Sequence, residues 1–245
     1  MKLYTFYQSG SAYRVRIALN LKGIDYEPIF IRGGRGSQEL QAPAYLEVNP
    51  QGVVPTLVDD GRVLTQSMPI IEYLEEVCPT PPLLPVKAAD RERARALAQL
   101  VVSDIHPLMT ARVIDYLANE LALSMEQQQG WLRHWNLRGL RALEALLAAH
   151  PETGRYCHGD EPTLADICLV PQVYTARRFG CDLSGLPTVQ RIDDACARHP
   201  AFQRAAPENQ PDAPESLSGR TISASHISTM TEPTQSEFSL PVNHT

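Results

Sequence analysis

Apolar positions first alternate along the chain and then recur at a helical spacing. Residues 2–7, KLYTFY, put apolar surface at Leu3, Phe6 and Tyr7 and read as a short strand. From 11 to 22 the period lengthens. Val15, Ile17, Ala18, Leu19 and Leu21 form a broad helical face that Gly23 ends. Strand character returns in YEPIFI, residues 26–31. The turn-rich GGRGSQ follows, then a weak helix near 38–47. In VVPTLVDDGRVLT two β-rich runs flank Asp60-Gly61, a dipeptide favoured in tight hairpin turns. Ser67 starts a helix through IIEYLEEV that ends near Cys78-Pro79. The order β-α-β-α-β-β-α predicts a small α/β domain with a mixed sheet.

After the proline-rich PTPPLLPV the strand signal fades. The spacing predicts two long helices, at 88–118 and 125–149, with Pro107 kinking the first. Thr163-Leu164-Ala165-Asp166 has capping-box spacing ahead of ICLVPQVYTARRF, so a third helix begins there. Residues 187–198 form a last one. Beyond Pro207 the chain is rich in Ser, Thr and Pro and poor in large apolar residues, too little to offset ordering entropy. The expected division is an α/β domain at 1–82, an all-α domain at 83–206 and a disordered tail at 207–245.

Composition narrows the classes of function. The net charge is −6, which gives no reason to expect nucleic acid or an anionic membrane as partner. No apolar run approaches the ~20 residues of a spanning helix, and MKLYTFYQSG lacks the apolar stretch of a signal peptide. The five cysteines form no C-x-x-C and read as buried small hydrophobes of a cytoplasmic protein. The histidines outside position 106 show no metal-ligand spacing, so no metal site is expected.

Three loops carry candidate chemistry. Ser9-Gly10-Ser11 lies at the start of the first helix, where a hydroxyl serves either as a plain cap or as a donor to a thiolate. Val54-Pro55 enters a strand, and a proline there marks an edge, often with a cis bond, leaving Val54 backbone groups free for an extended ligand. Gln66-Ser67 begins the next helix, where an orphan N–H and a hydroxyl favour a carboxylate. Together these loops suit a small peptide with a thiol. Arg14 and Arg16 are two apart and point to different faces, with Arg16 read as a surface or packing residue, and Asp166 is read as structural.

Over residues 1–212 the chain resembles the zeta class of cytosolic glutathione transferases. The marks are SGSAYRVRIAL, NPQGVVPTL with QSMPIIEYLEE, and GDEPTLADICLVPQVYTARRF. The resemblance implies a thioredoxin-like N-terminal domain, a helical C-terminal domain and a homodimer. It also implies glutathione as cofactor and the cis–trans isomerisation of maleylacetoacetate or maleylpyruvate in aromatic-compound breakdown. By the same carry-over, Ser9 and Ser11 are catalytic, and Ser9, Gly10, Ser11, Val54, Pro55, Gln66, Ser67 and His106 hold glutathione. His106, Arg112 and Arg178 face the diacid substrate. Tyr7, on the strand where other classes keep a catalytic tyrosine, is read as packing. The family's turn usually reads Ser-Ser-Cys; here cysteine is replaced by Ser11, and Gln8 and Ala111 are uncharged where relatives can carry arginine. The same cleft suits a broader transferase or a dehalogenase of small α-halo acids, and a third reading is a non-catalytic glutathione-binding module.

Overall fold

The computed structural model describes residues 1–34 and 36–217. Four strands form one sheet in the order β2-β1-β3-β4. These are β1 (Lys2–Thr5), β2 (Glu27–Phe30), β3 (Thr56–Asp59) and β4 (Arg62–Thr65). β1 pairs in parallel with β2 and antiparallel with β3, so Leu3 lies opposite Pro28 on one side and Leu57 on the other. The β3–β4 hairpin turns at Asp60 and Gly61, both at positive φ (47° and 78°), the backbone a two-residue primed turn demands. β3 is therefore an interior strand, which corrects the edge assignment made from Pro55. The proline sits one residue before the β1–β3–β4 ladder begins at Thr56, so its missing N–H breaks no pairing. The Val54-Pro55 bond is cis.

Helix α1 (Gly10–Lys22) joins β1 to β2 and ends on Gly23 in the left-handed conformation, φ 65°. It packs against α3 (Ser67–Val77), α7 (Leu164–Arg178) and α9 (Pro200–Ala205). With partners on several sides it is buried all round, and Arg14 and Arg16 are both out of solvent despite their two-residue spacing. Arg16 is a packing residue that donates to the carbonyls of Phe6, Tyr7 and Ala205. Short α2 (Pro43–Val48) lies before β3.

The expected helix 88–118 is interrupted. Regular α4 covers Ala88–Gln99, a wider π-helical stretch runs Leu100–Ile105, a 3-10 turn covers His106–Met109, and α5 restarts at Ala111–Asn119. Pro107 has no N–H to donate and its ring crowds the preceding turn, so the α ladder cannot pass through it. The adjacent His106 N–H bonds Val101, five residues back. Helix α6 (Met125–Ala148) crosses this break at Gly139, where an added Cβ would stand 2.2 Å from Ile105 Cγ1. Helix α7 starts on Thr163, whose backbone and hydroxyl both bond the buried Asp166, the capping box and structural role read from sequence. After α8 (Pro187–Ala197) comes the further short helix α9, so 187–198 is not the last.

The ordered chain also extends past 207. Pro207–Asn209 forms a 3-10 turn, Gln210 Nε2 donates to the carbonyls of Arg204 and Ala206, and Asp212 accepts from the Tyr7 N–H at 2.8 Å. Composition missed this because polar bonds to backbone, rather than large apolar side chains, fix the segment. Residues 218–245 of the expected tail lie outside the described residues.

Candidate active site

At the end of β1 the chain turns through Gln8 into α1. Ser9 is the N-cap in extended conformation, and its Oγ accepts from the Ala12 N–H at 3.2 Å. That uses an oxygen lone pair and leaves the Ser9 O–H free to donate. Ser11 Oγ lies 2.8 Å from His106 Nε2, a contact between α1 and the 3-10 turn that follows the π-helical stretch. The imidazole also covers Gly10: a Cβ there would be 3.4 Å from its Cε1. Burial, with the charges of Arg14 and Arg112 adding to it, pushes the His106 pKa down to about 3. The ring is thus neutral at physiological pH.

Of the other two loops, the one at Gln66-Ser67 is bonded to the same helix. Val54 makes no backbone hydrogen bond within the described residues, so its N–H and C=O remain available although the strand beyond is interior. Gln66 precedes α3 at φ 69° and donates to Gln51 Oε1 at 2.7 Å. Buried Ser67 begins α3 and accepts from Arg14 Nη1 at 3.3 Å. Thus α1 links two of the predicted loops directly: Ser9-Gly10-Ser11 is its first turn, and Arg14, one turn further on, reaches Ser67.

The cations are less tightly gathered. Arg112 is exposed on α5, and the break at 106–110 means that it shares no continuous helix with His106. Its charge still acts on the imidazole. Arg178 ends α7 with its guanidinium over the Phe179 ring at 5.1 Å. Part of its side chain meets solvent, yet crowding at the guanidinium lowers its pKa, opposed by Tyr174 and Tyr7. Half-buried Tyr7 packs edge-on against Phe6, and desolvation raises its pKa. Two residues at the site were not assigned a role in the sequence reading: Arg14, visible inside SGSAYRVRIAL, and Asp212, visible in QPD.

A mixed four-stranded sheet with a cis-proline before β3, joined to a helical bundle that leans on the first turn of α1, defines a glutathione transferase. Residues 3–82 match the model of the glutathione S-transferase N-terminal domain and 137–204 that of the C-terminal domain. The chain is 48% identical to a maleylpyruvate isomerase of Ralstonia sp over 213 residues, covering 87% of this chain and 100% of the relative. It is 50% identical to a maleylacetoacetate isomerase of Pseudomonas aeruginosa over 215 residues, covering 87% and 99%. A solved holo structure of a bacterial zeta-class maleylpyruvate isomerase superposes with TM-score 0.85 at 48% identity, over 87% of this chain and 100% of that one. A maleylacetoacetate isomerase from Methylobacterium extorquens, solved with malonate and glutathione, gives 0.83 at 43% identity, over 87% and 100%. The chain belongs to the zeta-class glutathione transferases, the family of the maleylpyruvate and maleylacetoacetate isomerases.

Glutathione is this family's cofactor, and the residues present fit it. Val54 offers an unpaired backbone N–H and C=O for a peptide. The start of α3 offers a hydroxyl and orphan amides for a carboxylate. Buried Arg14 keeps Nε and Nη2 without partners, as a site awaiting an anion would.

Proposed function

We propose that this enzyme uses glutathione to isomerise a small cis-unsaturated diacid, maleylpyruvate or maleylacetoacetate, to its trans form; two of the relatives above are named isomerases of these two compounds. The observation that carries this reading is the first turn of α1, with a free Ser9 O–H and with Ser11 paired to a neutral His106. Bound glutathione supplies a thiol nucleophile that can add to an activated double bond and leave it again.

The chain's own residues have three tasks. Ser9 and Ser11 donate to the sulfur anion at the helix N-terminus, lowering a thiol pKa that is otherwise near 8.5. Gly10 and His106 close the turn over it, Val54 and Pro55 hold the peptide in extended form, and Gln66 and Ser67 hold its carboxylate. His106, Arg112 and Arg178 face the diacid, with the arginine forks suited to bidentate carboxylate binding.

The working unit in this reading is a cytoplasmic homodimer, the N-terminal domain of one copy facing the helices at 88–118 of the other. All five cysteines are free, and among the described residues no helix is long and apolar enough to cross a membrane. An open cavity of about 540 Å³ lies between the outer faces of α3 and α4, edged by Met68, Pro69, Glu72 and Arg95. It shares no residue with the candidate site, and this reading assigns it to the face turned toward the partner copy. The domain division 1–82 and 83–206 follows the same reading. The decisive experiment follows the absorbance of maleylpyruvate and of maleylacetoacetate with and without glutathione. At least one is lost only when glutathione is present. Failure of both to isomerise overturns the reading.

A further inference from the structure

Arg14 is a buried cation with little around it to neutralise its charge. Its side chain is 1% exposed, packed where α1 meets α3 and α7. Only Nη1 has a partner, the Ser67 hydroxyl at 3.3 Å, while Nε and Nη2 have none. Among the described residues no carboxylate lies within ion-pair distance of it. The ionisable groups around it supply no counter-charge either. Cys168 of α7 has its thiol pushed up to about 11 by burial, so it stays neutral. His106 is neutral, and Arg112 beyond it adds more positive charge. A buried cation without its counter-ion is expensive to keep. The expense is explained if an anion arrives from outside.

The contact with Ser67 says where. Because Arg14 N–H occupies a lone pair of Ser67 Oγ, the Ser67 O–H hydrogen is turned away from Arg14. Ser67 lies at the N-terminus of α3, where unpaired backbone amides also favour negative charge. We propose that Arg14 is a positioning residue for the glutathione reaction: it fixes the Ser67 hydroxyl as an outward donor and supplies the positive charge that holds the γ-glutamyl carboxylate of glutathione there. This rests on the reading of Ser67 as a carboxylate subsite and adds to it the buried residue that makes the subsite work.

The test compares glutathione with 4-aminobutyryl-cysteinylglycine, which lacks only that carboxylate, by calorimetric titration. The full-length wild type should bind the analogue at least about tenfold more weakly, the loss of a charge-assisted bond. Arg14→Gln should bind glutathione roughly 10–100-fold more weakly and leave the analogue unaffected, so that the two ligands become nearly equal. Arg14→Lys, which keeps the charge without the fork, should fall between. The urea midpoint of the ligand-free Arg14→Gln protein should stay level or rise, because a neutral side chain relieves an unpaired buried charge. Arg14→Gln that still discriminates as the wild type does overturns the inference while leaving the Ser67 subsite intact. A wild type that binds both ligands equally overturns the subsite itself. Guanidinium nitrogen NMR on the wild type gives a check independent of any variant's folding. The Arg14 signals should move with glutathione and not with the analogue, and no response to glutathione overturns the proposal.

Discussion

His106 shows how one side chain ties chemistry to stability. Its pKa in the folded protein is about 3, far below the 6.5 of a free imidazole. As pH falls below about 6.5, the unfolded chain takes up a proton that the folded chain refuses. The contribution is therefore complete above 6.5 and is lost as pH drops toward 3. Urea midpoints should decline over that range, and His106→Gln should flatten the decline; parallel slopes in the two proteins contradict a buried imidazole held neutral. The two serines divide differently. Ser9→Ala removes a helix cap and should lower stability by about 1 kcal/mol, whereas Ser11→Ala leaves the cap intact. Both should raise the thiol pKa of bound glutathione, read from thiolate absorbance against pH, with the larger rise expected at Ser11. If neither variant moves that pKa, the two hydroxyls only shape the turn. Local sequence left cap and thiolate donor both open for these serines, because the same hydroxyl can accept from backbone with its oxygen and donate with its hydrogen. Ser9 is placed to do both.

Where periodicity and punctuation agree, whole elements were legible. Gly23, Asp60-Gly61 and Thr163-x-x-Asp166 each stop, turn or start an element where the residues demand it. The misreadings share a cause: a proline's effect depends on what lies beside it. Pro55 was taken to mark an edge, but one residue of offset lets β3 lie inside the sheet. Pro107 was taken as a kink, yet the ladder before it widens into a π-helical stretch and sets His106 against Ser11. Sequence spacing alone places His106 and Arg112 on one helix; the break removes that relation. The widened segment is held by the close approach of α6. Gly139→Ala would push a methyl group to 2.2 Å from Ile105 Cγ1, so the side chain next to His106 must shift. Overpacking of this kind typically destabilises by about 1–3 kcal/mol. Lower thermal stability together with a higher KM for glutathione is the expected pair of results. An unchanged melting temperature would show that the break absorbs the methyl without strain.

At the scale of the molecule, the chain's last described stretch returns to its first strand. Asp212 accepts from the Tyr7 N–H, two residues before Ser9, and Arg16 bonds the carbonyls of Phe6, Tyr7 and Ala205. The entry to the active-site turn is thus held from both sides by residues nearly 200 positions apart in the chain. The dimer belongs to the same scale: light scattering should give twice the chain mass at micromolar concentration, and a monomer there contradicts the proposed assembly. Composition marked everything after 207 as tail, yet Pro207 and Gln210 are buried and Asp212 is bonded to the β1 end. Two truncations separate the readings. A chain ending at Asp212 keeps every contact just named, and its dimerisation, glutathione affinity and isomerisation rate should match the full chain. A chain ending at Ala206 loses the Asp212 carboxylate, so the Tyr7 N–H goes unpaired and the turn before Ser9 loosens. A lost hydrogen bond to a charged acceptor costs about 1.5–3 kcal/mol. The shorter chain should unfold at lower urea and bind glutathione more weakly, and Asp212→Asn in the full chain should reproduce part of both effects. Equal behaviour of the two truncations would make the returning segment passive.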